Sequence, residues 1–285
     1  MRYEQFGYFC LMGWLTRVFR FYLDASIHVA FAVISLLLAT TLFLNISPGQ
    51  HLIQFVFFGT IPTYNFIKYG VEAKKYILLK NHYHRQIQIF SLIMLIIAGY
   101  HFFFLSYELW FICFALALLI GLYALPVFPM YKNLRSLGVL KVLLVALVWT
   151  GTTVIIPVIA AGILVSWDIY ILIIQQLILI LILLIPFEIR DLDYDQLNLK
   201  TIPQRLGVTK TIQLGILLTV IFFLMTFLKD SVTQLDIIGR AILFLILLGM
   251  LFLTRRHQSE YFASFYVESI PIGWLGILKV LENYF

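Results

Sequence analysis

Glu188, Asp191, Asp193 and Asp195 stand within eight positions of one another, in a chain with only fourteen acidic residues. They follow directly on the apolar run "IQQLILILILLIPF" and open the stretch "FEIRDLDYDQLNLKTIPQRLG", Phe187 to Gly207. Glu188, Asp191 and Asp195 are spaced i, i+3, i+7. On a helix that prolongs the apolar run they share one face, and Asp193 points elsewhere. Three carboxylates on one face repel one another unless cations separate them, either Lys and Arg or a divalent metal. Hard oxygen ligands suit Mg²⁺, which binds through a few carboxylates together with substrate phosphates. Lys200, Thr201, Arg205 and Lys210 come next and are good phosphate partners. The spacing alone admits a Mg²⁺–diphosphate site. It admits equally a solvated loop whose charges stop the helix from sinking into lipid.

The elements that must position these groups are membrane helices. Of the 285 residues, 62% are hydrophobic and 12% charged, and the mean hydropathy is +0.98. Soluble domains are about a quarter charged. Nine apolar stretches approach the ~20 residues that a helix needs to cross a hydrocarbon core. They are Ile27–Ile46, Leu52–Tyr69, Ile87–Leu105, Leu109–Leu125, Val139–Leu164, Ile169–Phe187, Thr211–Leu228, Leu235–Thr254 and Phe262–Leu281. Their continuity argues against a β-barrel, whose strands alternate. With nine spans, Lys229, Arg240 and Lys279 are the only three of twenty basic residues on one side. The positive-inside rule then puts the N-terminus in the cytoplasm and the C-terminus outside. The expected fold is an all-α polytopic bundle of nine transmembrane helices forming one domain over residues 1–285. Residues 1–25 are read as an amphipathic interfacial segment or an extension of the first span. Residues 70–86 and 188–210 are read as the two long cytoplasmic loops. They follow spans 2 and 6, which hints at a parallel repeat of spans 1–4 and 5–8.

Several function classes fall away. The net charge of +6 is mostly orientation signal and needs no nucleic acid. Cys10 and Cys113 are too few and too far apart for a disulfide framework or metal cluster. A pore would place ionisable groups near the midplane, whereas here they cluster at span ends. Neither G-x-G-x-x-G nor G-K-[ST] occurs.

The order of residues in "IRDLDYDQLNLKTIPQRLG" resembles the second aspartate motif of the UbiA superfamily of intramembrane prenyltransferases, roughly D-x-x-x-D followed by K-[ST]-x-P-x-x-x-G. Asp191 and Asp195 match the aspartates, Lys200 and Thr201 the K-T pair, and Pro203 and Gly207 the tail. Glu188 stands where many members carry another aspartate. "LYALPVFPMYKNLRSLGVLKVLLVALVW", Leu122 to Trp149, resembles the Tyr-x-x-Pro…Lys/Arg region of the same family. The resemblance implies nine helices, a cytoplasmic N-terminus and functional loops after helices 2 and 6. It implies transfer of a prenyl group from an isoprenoid diphosphate to an aromatic or other hydrophobic acceptor. Two aspartate motifs would bind Mg²⁺ and the diphosphate, and apolar helices would sheath the isoprenoid chain.

The family's first motif, approximately N-D-x-x-D-x-x-x-D, falls on "TYNFIKYGVEAKKYILLK". Asn65 matches its asparagine. The aspartate positions fall on Phe66, Tyr69 and Ala73, none acidic, and Glu72 is one residue off, about 100° around a helix. Lys68, Lys74, Lys75 and Lys80 crowd the segment instead. Three readings follow. A lysine, Lys68 first, replaces one metal as a point charge, so that one Mg²⁺ or none remains. The fold is kept as a non-catalytic lipid- or isoprenoid-binding protein. Or the lysines are membrane anchors of an inactive relative.

The expected active-site set is Asp191, Asp195 and Lys68, with Glu188 joining the two aspartates as a Mg²⁺ ligand. Asn65, Tyr69, Tyr123, Lys132, Arg135, Lys141, Arg190 and Lys200 are expected to bind substrate. Asn65 and Lys68 should face Asp191 and Asp195 across one cavity. The expected partners are the lipid bilayer, a prenyl diphosphate and a hydrophobic or aromatic acceptor. The expected location is the plasma (inner) membrane, with the active-site loops cytoplasmic. Gln175 and Gln176, inside the sixth span, should hydrogen-bond neighbouring helices.

Overall fold

The computed structural model describes residues 2–69, 82–124, 138–193 and 200–284, with side chains from residue 13 onward. The regular elements among the described residues are all helices, with no strand. Helix α1 (Arg2–Asp24) leads into α2 (Ile27–Phe43), α3 (Gln50–Tyr69), α4 (His82–Phe102) and α5 (Tyr107–Ala124). Next come α6 (Val139–Thr150) and α7 (Ile156–Ala160), joined by a π-helical turn over Gly151–Ile155 into one continuous rod. Then follow α8 (Trp167–Arg190), the short α9 (Ile202–Leu206), α10 (Val208–Leu224), α11 (Gln234–Leu253) and α12 (Glu268–Glu282).

Each of the nine apolar stretches is helical over most of its described residues. Among the described residues, seven helical stretches are long and apolar enough to cross a membrane, and α1 joined to α2 across a 54° bend makes an eighth. Helix α2 alone has 17 residues. Helix α3 is long enough, but its run of Gln50, His51, Gln54, Thr60, Thr63 and Asn65 keeps it below that apolarity. The loop boundaries also shift. Helix α8 continues through Arg190 and ends in a 3₁₀ turn at Asp191–Asp193, so Glu188 and Arg190 are helical residues. Helix α4 already begins at His82.

Burial separates an inner pair of helices from an outer ring. Helix α2 is buried on almost every face, from His28 to Thr41, and α8 buries most of its length from Ile169 to Ile189. Helices α4 and α5 turn Leu92, Ile96, Phe111 and Phe114 outward. A helix apolar all round is either enclosed by protein or faces lipid. In lipid, close packing and interhelical hydrogen bonds replace the hydrophobic effect as the glue between helices. Both appear here. A Cβ on Gly215 would lie 2.7 Å from Ile185 and 2.9 Å from Leu251, so a larger residue would have to push aside the ends of those side chains where α8, α10 and α11 meet. Gln175 donates to the Phe222 carbonyl (3.0 Å) and to Thr226 (3.1 Å), and Gln176 donates to Thr153 (3.0 Å).

At the α10–α11 end, Asp236 pairs with Lys229 at 2.8 Å and with Arg240 one turn further along α11. Arg240 is 1% exposed, and its guanidinium lies 4.1 Å from the centre of the Phe43 ring. This cluster ties α11 to α2 far from the acidic stretch.

A candidate anion-binding cavity

The ends of α3 and α8 and the beginnings of α6 and α12 meet around one cavity of ≈ 260 Å³. Lys68, Tyr123, Lys141, Glu188, Arg190 and Asp191 all line it. These six were singled out from the sequence, and they come from four helices. Glu268 on α12 lines it as well.

The charged groups sit at helix ends and the apolar groups lie deeper. Along α8 the wall runs from Asp191 through Phe187 and Leu183 to Ile180. Those eleven residue-to-residue steps cover about 16 Å at 1.5 Å per residue. Leu119 and Ile120 of α5 and Val145 and Val148 of α6 close the apolar part. Tyr64 and Trp149 face each other across the wall, the indole N–H donating to the Tyr64 hydroxyl.

The ion pairs at the polar end are specific. Lys141 Nζ lies 2.7 Å from Glu188 Oε1, with both side chains largely buried. Arg190 Nε donates to Asp191 Oδ1 at 2.9 Å, and its guanidinium lies 5.2 Å from the centre of the Phe187 ring. Lys68 differs. Its ammonium donates to the Leu23 carbonyl at 3.3 Å, and among the described residues it has no carboxylate within ion-pair distance. It is therefore the cation at this cavity that no described carboxylate neutralises at contact. Asp193, on the far side of the 3₁₀ turn, pairs with Arg256 at 2.7 Å outside the cavity.

Three expected substrate-side residues lie elsewhere. Asn65 is buried at the joint between α1 and α2. Its amide donates to the Ala25 carbonyl (3.0 Å) and Ser91 (2.8 Å) and accepts from Ser26 (2.8 Å). Ser26 holds a left-handed backbone at φ 60°, and this bond secures the bend. The Tyr69 hydroxyl donates to the Asp24 carbonyl at 3.2 Å, again at the end of α1. Lys200 is exposed and also left-handed, at φ 54°, with its carbonyl accepting from Arg205 at 2.9 Å. Asp195, Lys132 and Arg135 lie outside the described residues, as do Glu72, Lys74, Lys75 and Lys80.

Glu188 and Asp191 each already carry a cation at salt-bridge distance. Among the described residues, no three His, Cys, Asp or Glu side chains converge to hold a metal ion. The described residues do not fit a carboxylate-bound Mg²⁺, and what they do offer is a cationic rim.

The residue that sequence reasoning missed is Glu268. It lies inside what reads as an ordinary apolar span, "FASFYVESIPIGWLGILKVL". An acidic residue within such a span is itself a signal of function.

No family model matches the sequence, and no curated protein does. Solved structures share the fold. One is a UbiA homolog from Archaeoglobus fulgidus bound to DMAPP and Mg²⁺, with a TM-score of 0.60 and 12% identity over 93% of this chain and 99% of that one. Another structure of a UbiA homolog from Archaeoglobus fulgidus gives 0.56 and 11%, over 91% and 98%. A digeranylgeranylglyceryl phosphate synthase gives 0.54 and 17%, over 92% and 96%. The fold is thus one that UbiA homologs adopt, matched over nearly the whole length of both partners.

Proposed function

We propose that this protein binds an isoprenoid diphosphate in the cavity and transfers the prenyl group to a hydrophobic or aromatic acceptor within the membrane. The observation that carries this reading is the placement of Lys68, Lys141 and Arg190 together at the head of an apolar cavity. The shared fold supports it, since one structure with that fold holds DMAPP and Mg²⁺. In this reading the rim lies on the cytoplasmic side of the inner membrane, as the distribution of basic residues suggests.

Lys68 takes the diphosphate as a point charge. Arg190 offers a planar fork to phosphate oxygens. Lys141 adds a third cation once the anion competes with Glu188 for it. All three stabilise the charge that grows on the leaving diphosphate as the allylic C–O bond breaks. Tyr64, Tyr123 and Trp149 line the same cavity, and aromatic rings of this kind attract the positive charge of an allylic fragment. The apolar wall down to Ile180 receives the isoprenoid chain. Lys68 supplies positive charge on the α3 side, where the sequence offers no aspartate at the expected positions. Asp195 remains the candidate ligand for a single Mg²⁺.

The test is equilibrium binding of geranyl, farnesyl and geranylgeranyl diphosphates to the purified chain in lipid nanodiscs, with and without Mg²⁺. Binding that persists in EDTA is the expected result. Failure to bind any of the three at millimolar concentration sinks the proposal. Binding without transfer to any acceptor favours the alternative, an isoprenoid-binding protein without catalysis.

A further inference from the structure

Three acids line the cavity among the described residues, and two of them are held by cations at contact. Glu188 is held by Lys141 and Asp191 by Arg190. Glu268 has no ion pair and no side-chain hydrogen bond among the described residues. The charged groups that act on it are Lys68 from α3 and Arg190 from α8. The phenols of Tyr22 on α1 and Tyr64 on α3 feel its charge in turn. Glu268 thus shares the cavity with two of the cations assigned to the diphosphate, yet neither neutralises it at contact.

The local structure aims it there. A π-helical turn over Phe262–Val267 runs directly into α12, and Glu268 is the first residue after it. Such turns insert an extra residue into a helix and occur often at functional sites. The insertion rotates every later side chain relative to a regular helix. The Phe265 carbonyl in this turn accepts from Ser269 Oγ at 2.6 Å and lies 3.0 Å from His28 Nε2. A carbonyl only accepts, so His28 donates from Nε2 and takes the Tyr22 hydroxyl on Nδ1 at 2.7 Å. Tyr22, His28 and Ser269 therefore brace the turn from α1, α2 and α12. Three hydrogen bonds thus converge on the turn that directly precedes position 268.

Resting on the prenyl-transfer reading, we propose that Glu268 is a catalytic residue: it accepts the proton of a hydroxyl-bearing acceptor, an alcohol or a phenol. In the step, the C1–O bond of the prenyl diphosphate breaks and its electron pair leaves on the diphosphate. The acceptor oxygen supplies the pair for the new bond to C1. The acceptor's hydroxyl proton moves to the Glu268 carboxylate, which becomes neutral. Charge balances, and no further reactant is needed. The carboxylate also selects the acceptor, because it accepts a hydrogen bond from a hydroxyl and has nothing to accept from an ether.

The experiment uses the full chain in nanodiscs with geranylgeranyl diphosphate as donor. The acceptors are a glycerol monoether, a simple phenol and the methyl ether of that phenol. Wild type is expected to prenylate a hydroxyl acceptor and not the methyl ether. Glu268→Gln is expected to bind the donor at least as tightly as wild type, since it removes a negative charge from an anion site. Its transfer rate should fall ~10²-fold or more, the usual worth of a positioned base. Wild type is expected to gain rate with pH as the carboxylate ionises, and that rise should vanish in Glu268→Gln and persist, at a lower rate, in Glu268→Asp. Unimpaired binding by Glu268→Gln shows that the variant folds. If Glu268→Gln transfers within threefold of wild type, the departing diphosphate takes the proton and the assignment is wrong. Equal use of the methyl ether, or donor binding by wild type with no transfer to any acceptor, overturns it as well. If wild type binds no prenyl diphosphate at all, the prenyl-transfer reading falls first and this assignment with it.

Discussion

Lys68→Met separates charge from shape at the residue on which the anion reading depends. Methionine keeps most of the unbranched stem and removes the ammonium. In the structure that ammonium has one weak tie, 3.3 Å to the Leu23 carbonyl, and no described carboxylate at ion-pair distance. Removing it breaks no ion pair at contact, and Glu268 loses only a cation that acts on it across the cavity, so the fold should lose little. The cost should appear on binding. A hydrogen bond to a charged group is worth about 1.5–3 kcal/mol. At 1.4 kcal/mol per factor of ten, that predicts a Kd for geranylgeranyl diphosphate about 10- to 150-fold weaker. Lys68→Arg keeps the charge and should recover part of the loss. The assay is a nanodisc titration followed by the fluorescence of Trp149, which lines the cavity. Thermal unfolding in the same nanodiscs serves as the control. The loss should be the same in EDTA as in Mg²⁺, because the lysine acts without a metal. A Lys68→Met protein that binds within twofold of wild type refutes the argument. So does a loss that appears only with Mg²⁺ present.

Three further perturbations test the scaffold. Lys141→Met should destabilise by about 3–5 kcal/mol, because it leaves Glu188 charged and buried. Lys141→Met with Glu188→Leu should restore most of that in a thermal-shift assay. Asp236→Ala should cut folded yield more than Arg240→Leu does, read by size-exclusion chromatography. The first leaves two buried cations together, and the second leaves Asp236 its bond to Lys229. Gly215→Val should cost about 1–3 kcal/mol through overpacking against Ile185 and Leu251, whereas Gly273→Val, with open space around its Cα, should stay close to wild type in the same thermal scan.

Much of the fold was legible because the membrane restricts what a chain can do. Backbone groups in lipid must be satisfied within their own segment, so continuous apolar runs become helices. All nine runs did, over most of their described residues. The number that cross was less legible. Helix α2 is short and reaches spanning length only with α1, and α3 carries enough polar residues to blur its apolarity. The site was partly legible. The spacing of Glu188 and Asp191 at the end of an apolar run led to one wall of the cavity, and the lysine in the last turn of α3 led to another. Asn65 was drawn in by its place in a motif, whereas its amide is used to hold Ser26 and the bend between α1 and α2. No spacing rule distinguishes an asparagine that bonds its own scaffold from one that faces a ligand.

The amino-acid sequence by itself determined where the helices lie and that ionisable groups gather at their ends. Apolar length and the hydration of charges are properties of each segment alone. Tertiary structure decided which charges meet. Lys68 and Glu268 are 200 positions apart and act on each other across one cavity. They do so because α12 packs beside α2 and a π turn resets its face just before position 268. The direction of a helical side chain changes by about 100° per residue. One inserted residue therefore decides whether an acid points into the cavity or away from it, and a periodic reading of the sequence does not register the insertion.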